Sequence, residues 1–539
     1  MPDTPVPVIP GNAPAAARPD FKRPEYVDLQ PARRLSRAMM SGTRAVRALG
    51  TEALPKWPAE EPAFYRLRAK IAQVTRYTAR TVEAVVGMVV GTPPTLAEGT
   101  DARIVADAED IDRRGTHFDV FARDLTQEAI VGGLAGILVD APPVPEGIRL
   151  TLENEQRMGL RPYWVLVTAE QLVSWVTESP DWSRIMADYA SGALRDEDVA
   201  RLSTQQIVRQ VVIAEVTNVR AGEFGVVARD RYRVLMLTDQ GVRFRVWEHV
   251  PALDGAAEHF RLVNEGAMLG AGRRELPAIP LALAYPKRPA APFVSEPASL
   301  AIAELNLDHH QITTDRRYLI KHTHSPTLYL FGVDAERDET GQEKPIRVGP
   351  NSLIRSRNAD AKIGYAAASP DALAASKEER DEIVRQIAAL GMSFLAKDRQ
   401  SGGTETAKGR GLDLAAENAT HATISRGVQD ALEQALMFHG LYRDCPAPSV
   451  EMHAAYAAPE VDPQMAGVLW QAVIADKLDV DTWLAFLRTG KVPESFNYAD
   501  YAADLAAAGA ADREAEDEAA RQLAGEGGAD PGDNLDPAA

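Results

Sequence analysis

The 539-residue chain holds a single cysteine, Cys445. One cysteine excludes an intrachain disulfide and a thiolate metal cage, and it fits a reducing compartment. Aromatics are scarce, at 6% of residues. With abundant alanine, that balance favours helices over large β-sandwiches. Long apolar runs are missing too. The longest stretches, Ala84–Val90 and Ile130–Val139, are far short of a membrane span. The first 24 residues are rich in proline and alanine and lack an apolar core of signal-peptide length, so synthesis in the cytosol is the expectation.

Positive charge is in deficit: 59 Lys and Arg stand against 77 Asp and Glu, a net charge of −18. Proteins that coat nucleic acid are basic, because their cations displace counterions from phosphate. The chain as a whole is therefore not built to grip DNA. An acidic protein can still touch DNA through a local basic loop, or line a passage in which DNA slides without sticking. Plain solubility accounts for the same charge.

Catalytic signatures are also absent. There is no phosphate-binding loop. Lys408 lies in the glycine-rich stretch Gly402–Gly411, but Gly409 and Arg410 follow it where that motif needs Ser or Thr directly after lysine. There is no H-E-x-x-H and no G-x-S-x-G. Asp308-His309-His310 and His322-x-His324 have metal-ligand chemistry, yet adjacent histidines diverge on a helix, and packed or solvated histidines are the plainer reading. No spacing pairs two carboxylates for acid–base work. The expectation is a protein that is not an enzyme, with no metal and no cofactor.

The length allows two to four domains. Residues 1–25 read as a disordered arm, with compact structure from Tyr26. Pro62–Val90 reads as one amphipathic helix ended by Gly91 and Pro93-Pro94. A helix over Phe118–Ile130 leads through Gly132, Gly133 and Gly136 into a buried strand, Ile137–Asp140. Tyr163–Val167 and Leu172–Val176 read as short strands. Residues 207–250 alternate apolar and polar. Arg231–Leu237, a Thr-Asp-Gln-Gly turn and Val242–Trp247 form a hairpin signature with arginines on one face, read as a solvated face or as a DNA-binding ribbon. The prolines of Pro286–Pro297 mark a boundary. Ser299–Lys321 reads as a long helix. Residues 324–368 form a strand-rich insertion containing Leu328–Phe331, Pro345–Val348 and Leu353-Ile354. Ser369-Pro370-Asp371 is a helix start, combining a capping residue, a first-turn proline and an acidic group at the positive helix end. A last helix covers roughly Glu405–Phe438. The tail from Tyr501 is rich in Ala, Asp, Glu and Gly.

Between the helices at 371–395 and 405–438 lies a glycine-rich stretch carrying Lys397 and Arg399, with Gly402, Gly403 and Thr404 following and Lys408 and Arg410 just beyond. It is locally basic in an acidic chain. Two readings stand: a solvated mobile loop, or non-specific phosphate contact.

The order of these parts resembles the portal proteins of tailed bacteriophages, closest to a divergent branch carried under a domain-of-unknown-function label. The strings that carry the resemblance are Val86-Gly87-Met88-Val89-Val90-Gly91-Thr92-Pro93-Pro94, Gly132-Gly133-Leu134-Ala135-Gly136-Ile137-Leu138-Val139-Asp140, Arg161-Pro162-Tyr163-Trp164 and Ser401-Gly402-Gly403-Thr404-Glu405-Thr406-Ala407. It covers roughly residues 26–440. The resemblance implies an α+β, mainly helical fold with wing, stem, clip and crown regions. On that layout residues 26–296 are an α/β wing, 297–323 a first stem helix, 324–368 the clip and 369–395 a second stem helix. Residues 396–408 are a tunnel loop, 409–440 a long wing helix, 441–500 a C-terminal wing or crown and 501–539 an acidic tail, partly disordered. The DNA-facing residues it implies are Lys397, Arg399, Gly402, Gly403, Thr404, Lys408 and Arg410. It further implies a closed ring of about twelve subunits with heterologous contacts. Its partners would be the terminase packaging motor, head-completion, adaptor or tail proteins, major capsid and scaffold proteins, and double-stranded DNA held non-specifically, with no membrane. The ring would sit at the portal vertex of the virion and assemble in the host cytoplasm. Two alternatives are another oligomeric capsid-associated adaptor or scaffold, and a DNA-processing packaging enzyme.

Overall fold

The alternating stretch from Ile207 to Val250 forms the middle of an open antiparallel sheet. In a computed structural model of the chain its six strands run in the order β1 (Val8–Pro10), β9 (His259–Ala267), β8 (Gly241–Val250), β7 (Gly225–Thr238), β6 (Ile207–Ala221) and β5 (Leu172–Glu178). The structure describes residues 7–142, 158–179, 182–191, 207–252, 257–324, 327–332, 358–366, 370–391, 407–452 and 480–489, with a few isolated positions between them. The chain is thus a mixed fold of helices and sheet. It divides into one unit of Met1–Thr406 with Ala419–Ala454 and another of Ala407–Asn418 with Ala455–Ala539. In the second unit the helix Val480–Thr489 carries Trp483, whose ring tilts against Trp470 at 4.6 Å.

The expectation over residues 1–25 is a disordered arm; residues 1–6 lie outside the described residues, and beyond them the chain instead forms a strand. Val8 pairs with Arg261 and Pro10 with His259, so β1 adds an edge to the sheet. Arg18 then holds Asp20 at 2.6 Å and lies over the Phe260 ring. The composition of the arm is unfavourable for self-folding, but an unpaired sheet edge supplies the partners that its backbone lacks.

The hairpin at 231–247 forms as expected, but its arginines do not share a face. The two-residue turn between Thr238 and Gly241 pairs Arg231 with Glu248 and Val234 with Arg245. Cross-strand partners share a face, and side chains alternate along each strand. Arg231 and Arg233 therefore stand on one face, and Arg243 and Arg245 on the other. On the first face Glu248, almost fully buried, is held by Arg231 at 2.8 Å, Arg261 at 2.9 Å and Arg229 at 3.6 Å. Arg233 bridges Glu215 and Asp140. These arginines are consumed in the fold and do not form a free basic ribbon.

β6 and β7 outrun their neighbours. β5 pairs with β6 only as far as Ile213, and β8 pairs with β7 only from Arg231 onward. Residues 216–221 and 225–230 pair only with each other across the β6–β7 turn, as a projecting ribbon.

In a second sheet of β10 (Leu281–Ala284), β3 (Ala135–Asp140) and β4 (Tyr163–Thr168), the central strand β3 is buried on both faces. This explains why β3 reads as a continuous apolar run. The helices up to this point are α1 (Pro24–Ser41), α2 (Thr43–Ala48), α3 (Pro62–Ile71), α4 (Tyr77–Val89), α5 (Ala102–Ala108) and α6 (Phe118–Gly132). α6 ends on Gly133 in the left-handed region, at φ 84°, where an added Cβ would meet the backbone of Ser295 and Glu296. Only glycine fits that turn.

Pro62–Val90 is two helices and not one. Ala72 is extended, and residues 72–76 separate α3 from α4. The backbone groups released there are taken up by tertiary partners. Arg47 donates to the Ala72 carbonyl at 2.7 Å, the Val74 N–H donates to Thr43 Oγ1, and Thr75 O accepts from Asn306. Those partners come from distant segments, so periodicity along 62–90 cannot reveal the break.

Candidate functional site

The candidate region is a helical hairpin and its root. Its first arm is the helix Leu300–His324. The arm is anchored before it starts: the Ala298 N–H and the Ser299 hydroxyl both donate to Ile130 O at the end of α6. Its first half carries a face that is polar and buried, namely Asn306, His309, His310 and Thr314. Buried polar groups need partners. Asn306 Oδ1 accepts from the Thr78 N–H at 3.0 Å and the Thr78 hydroxyl at 3.1 Å, while its amide nitrogen donates to Thr75 O at 2.9 Å. Asn306 is thus the cap of α4 supplied from 228 residues away. His310 Nδ1 lies 3.3 Å from Gln73 O, and the His309 ring stands edge-on to Tyr77. Both adjacent histidines thus lie against residues 73–77. Burial, joined by the charges of Arg380, His310 and Arg317, pushes His309 down to about 4.

The second half of the arm is held by an ion cluster. Arg68 is 1% exposed and donates to Glu60 at 2.8 Å and to Asp315 at 3.1 Å. Its guanidinium lies 4.2 Å from the Trp57 ring centre, and Trp57 meets Tyr318 edge-on at 5.0 Å. The Arg68 bond holds Glu60 below the usual carboxylate range, whereas burial pushes Asp315 above it.

The second arm is the helix Pro370–Gly391. A cleft lined by Ala301, Leu305 and Asp308 on one side and Gln386, Ala389 and Leu390 on the other sets its end against the start of the first arm, so the arms are antiparallel. Ile387 is buried at that contact. Between the arms lies a ribbon of β11 (Thr327–Phe331) and β12 (Lys362–Ala366), with Leu328 opposite Tyr365 and Leu330 opposite Ile363. Tyr329, Phe331, Ile363 and Tyr365 are all exposed on it. Gly364 leaves room for the Tyr329 ring across the strand, where a Cβ would collide with that ring.

After the hairpin comes the helix Ala407–Arg443. Val428, Ala431, Leu432, Ala435 and Leu436 form a buried stripe at helical spacing, packed with α4, α6 and β3. Its end is tied to α5: Arg443 donates twice to Asp107 at 2.7 Å, and His439 meets the same carboxylate at 2.9 Å.

Of the residues assigned to a DNA-facing loop, Lys397, Arg399, Gly402, Gly403 and Thr404 lie outside the described residues. Lys408 and Arg410 fall within the helix that begins at Ala407, so Lys408 belongs to its first turn and not to a preceding loop. The expected strands Pro345–Val348 and Leu353-Ile354 and the tail from Tyr501 also lie outside the described residues. The strand Lys362–Ala366 was not anticipated, although the spacing of Ile363 and Tyr365 is a period-two signal. Asn306 and Arg68 carried no sequence signal, because their partners are far away in the chain.

Residues 300–442 match the model of a family described as "Domain of unknown function (DUF4055)", a span that contains the hairpin and most of the following helix. No curated protein matches the chain. Among solved structures it is similar to a chain of the "Neck of empty GTA particle computed with C6 symmetry", at 11% identity, with 83% of this chain and 99% of that chain covered and a TM-score of 0.38.

Proposed function

We propose that the chain is a structural, non-catalytic subunit of a portal-type ring, a head–tail connector through which double-stranded DNA passes. The observation that carries the reading is the hairpin: two antiparallel helices rooted by buried polar contacts, joined by a ribbon whose aromatic and aliphatic side chains its own chain leaves exposed. Tyr329 and Phe331 stand on one face of the ribbon and Ile363 and Tyr365 on the other, so both faces offer apolar surface for a partner to cover. Side-by-side packing in a ring would cover it. On this reading Leu300–His324 and Pro370–Gly391 are the stem, the β11–β12 ribbon belongs to the clip, and residues 26–296 and the helix ending at Arg443 form the wing. Lys397 and Arg399 would contact the DNA backbone. The net charge of −18, multiplied around a ring, repels phosphate from the channel wall and lets DNA slide. Terminase and adaptor or tail proteins would dock at the ends.

Negative-stain microscopy with native mass spectrometry of the purified chain tests this. Rings with a central hole are the expected result, and a strictly monomeric protein at high concentration refutes it. With Lys397→Ala and Arg399→Ala combined, rings should still form while DNA packaging or retention falls. Loss of rings in that variant would make the two residues interfacial instead.

A further inference from the structure

The projecting β6–β7 ribbon ends in a turn at Gly222–Phe224. Phe224 is 93% exposed, and Val216, Val226 and Val227 nearby are at least half exposed. Arg220 folds back on the turn and donates to the carbonyls of Gly222 and Glu223. The tip thus presents an aromatic side chain, the carboxylate of Glu223 and the guanidinium of Arg220.

At the other end of the same strand the molecule has a hole. The segment 268–276 folds against the β7–β8 turn, with the Val242 N–H on Leu276 O and the Met268 N–H on Val242 O. Between this segment and the end of the long helix lies a cavity of about 560 Å³, lined by Gly270, Leu276, Pro277, Leu441 and Cys445, with Arg274 and Asp444 among its charged residues. Gly270 approaches the Leu441 backbone so closely that a Cβ would collide with it, which keeps the floor open. Exposed Met437 sits one helical turn before exposed Leu441. Pockets of about 300–1,000 Å³ seat whole small ligands, so one aromatic side chain and its turn fit.

The tip cannot fill its own chain's hole. Fourteen residues of β7 separate them, roughly 45 Å at about 3.3 Å per residue. A knob and a hole on one chain that cannot meet within it make a heterologous contact between copies, the type that closes into rings. The charged lining of the cavity is Arg274, Glu275 and Asp444, so its acidic excess suits the guanidinium of Arg220, and Arg274 is the one partner there for Glu223. Buried aromatic anchors in pockets are what such interfaces rest on.

We infer that Phe224, at the tip of the β6–β7 ribbon, inserts into the cavity between Gly270–Pro277 and Gly440–Pro446 of the adjacent copy. This contact rests on the ring reading and names one of its interfaces. The chain supplies its own probe, because its only cysteine, Cys445, lines the cavity. Glu223→Cys, treated with a short bis-maleimide, should give a ladder of covalent multimers on denaturing gels, and adding Cys445→Ser should abolish it. Phe224→Ser should lose rings in the microscope while keeping the far-ultraviolet circular dichroism spectrum of the parent, since the side chain touches solvent in the single chain. Rings without cross-links, or cross-linked dimers that survive Cys445→Ser, overturn this contact and leave the ring reading standing. Absence of both rings and cross-links in otherwise folded protein removes both.

Discussion

Asn306→Leu is the sharpest probe of how the hairpin is rooted. The side chain is fully buried and makes three hydrogen bonds, two to Thr78 and one to Thr75 O. Leucine nearly matches its volume, so packing changes little. Thr75 O keeps a second donor, the Tyr77 N–H. The Thr78 N–H, in the first turn of α4, has no such reserve and becomes a buried orphan. An unsatisfied buried group costs about 1–3 kcal/mol, and each further lost bond about 0.5–1.5 kcal/mol. The sum is roughly 2–6 kcal/mol. At about 1.4 kcal/mol per tenfold, local opening should become roughly 30- to 20,000-fold more frequent. Hydrogen exchange followed by mass spectrometry reads this directly in peptides covering residues 72–82, where amides should exchange faster by that factor. Peptides from β6–β8 should not change. Unaltered exchange across 72–82 would refute the assignment of Asn306 as the cap of α4.

Glu248→Gln removes the carboxylate that three arginines share. It should destabilise the sheet by roughly 2–3 kcal/mol, short of the about 3–5 of a fully buried pair, because the arginines reach solvent; thermal melting checks it. Acid tests the same group. Burial pushes the Glu248 carboxyl up, but Arg231 and Arg261 outweigh burial and hold it below the ordinary glutamate range. Burial likewise raises Asp107, and His439 and Arg443 more than reverse that. Both folded values lie below the unfolded ones, so this stabilisation is complete above about pH 4.5 and is lost as pH falls through the folded values. Melting temperature should therefore drop on acidification, and less steeply in Glu248→Gln. Gly427→Ala should cost about 1–3 kcal/mol by overpacking, since its Cβ would strike the Tyr285 carbonyl; an unchanged melting temperature would contradict that contact.

The positions of the long helices were legible because their signals are local. Ser369-Pro370-Asp371 announces Pro370–Gly391, and the stripe at 428–436 announces the buried face of the last helix. The strand read at 137–140, which begins two residues earlier in the structure, and the hairpin at 231–247 were legible for the same reason: apolar period and turn residues sit next to each other in the chain. The resemblance to portal proteins used the order of these parts and four short strings, none of which states what any side chain touches.

What tertiary structure alone decided is where distant groups complete one another. Val8–Pro10 is a strand because β9 offers an edge, and 72–76 is not helix because Arg47, Thr43 and Asn306 take its backbone groups. Arginines that look like one basic face along the sequence are divided between two faces by a two-residue turn. The sequence by itself determined an acidic, cysteine-poor chain of helices and alternating strands without a recognisable catalytic motif. Only the folded chain put an exposed Phe224 and an open cavity at opposite ends of one strand, because a strand holds its ends apart while the sequence merely counts the residues between them.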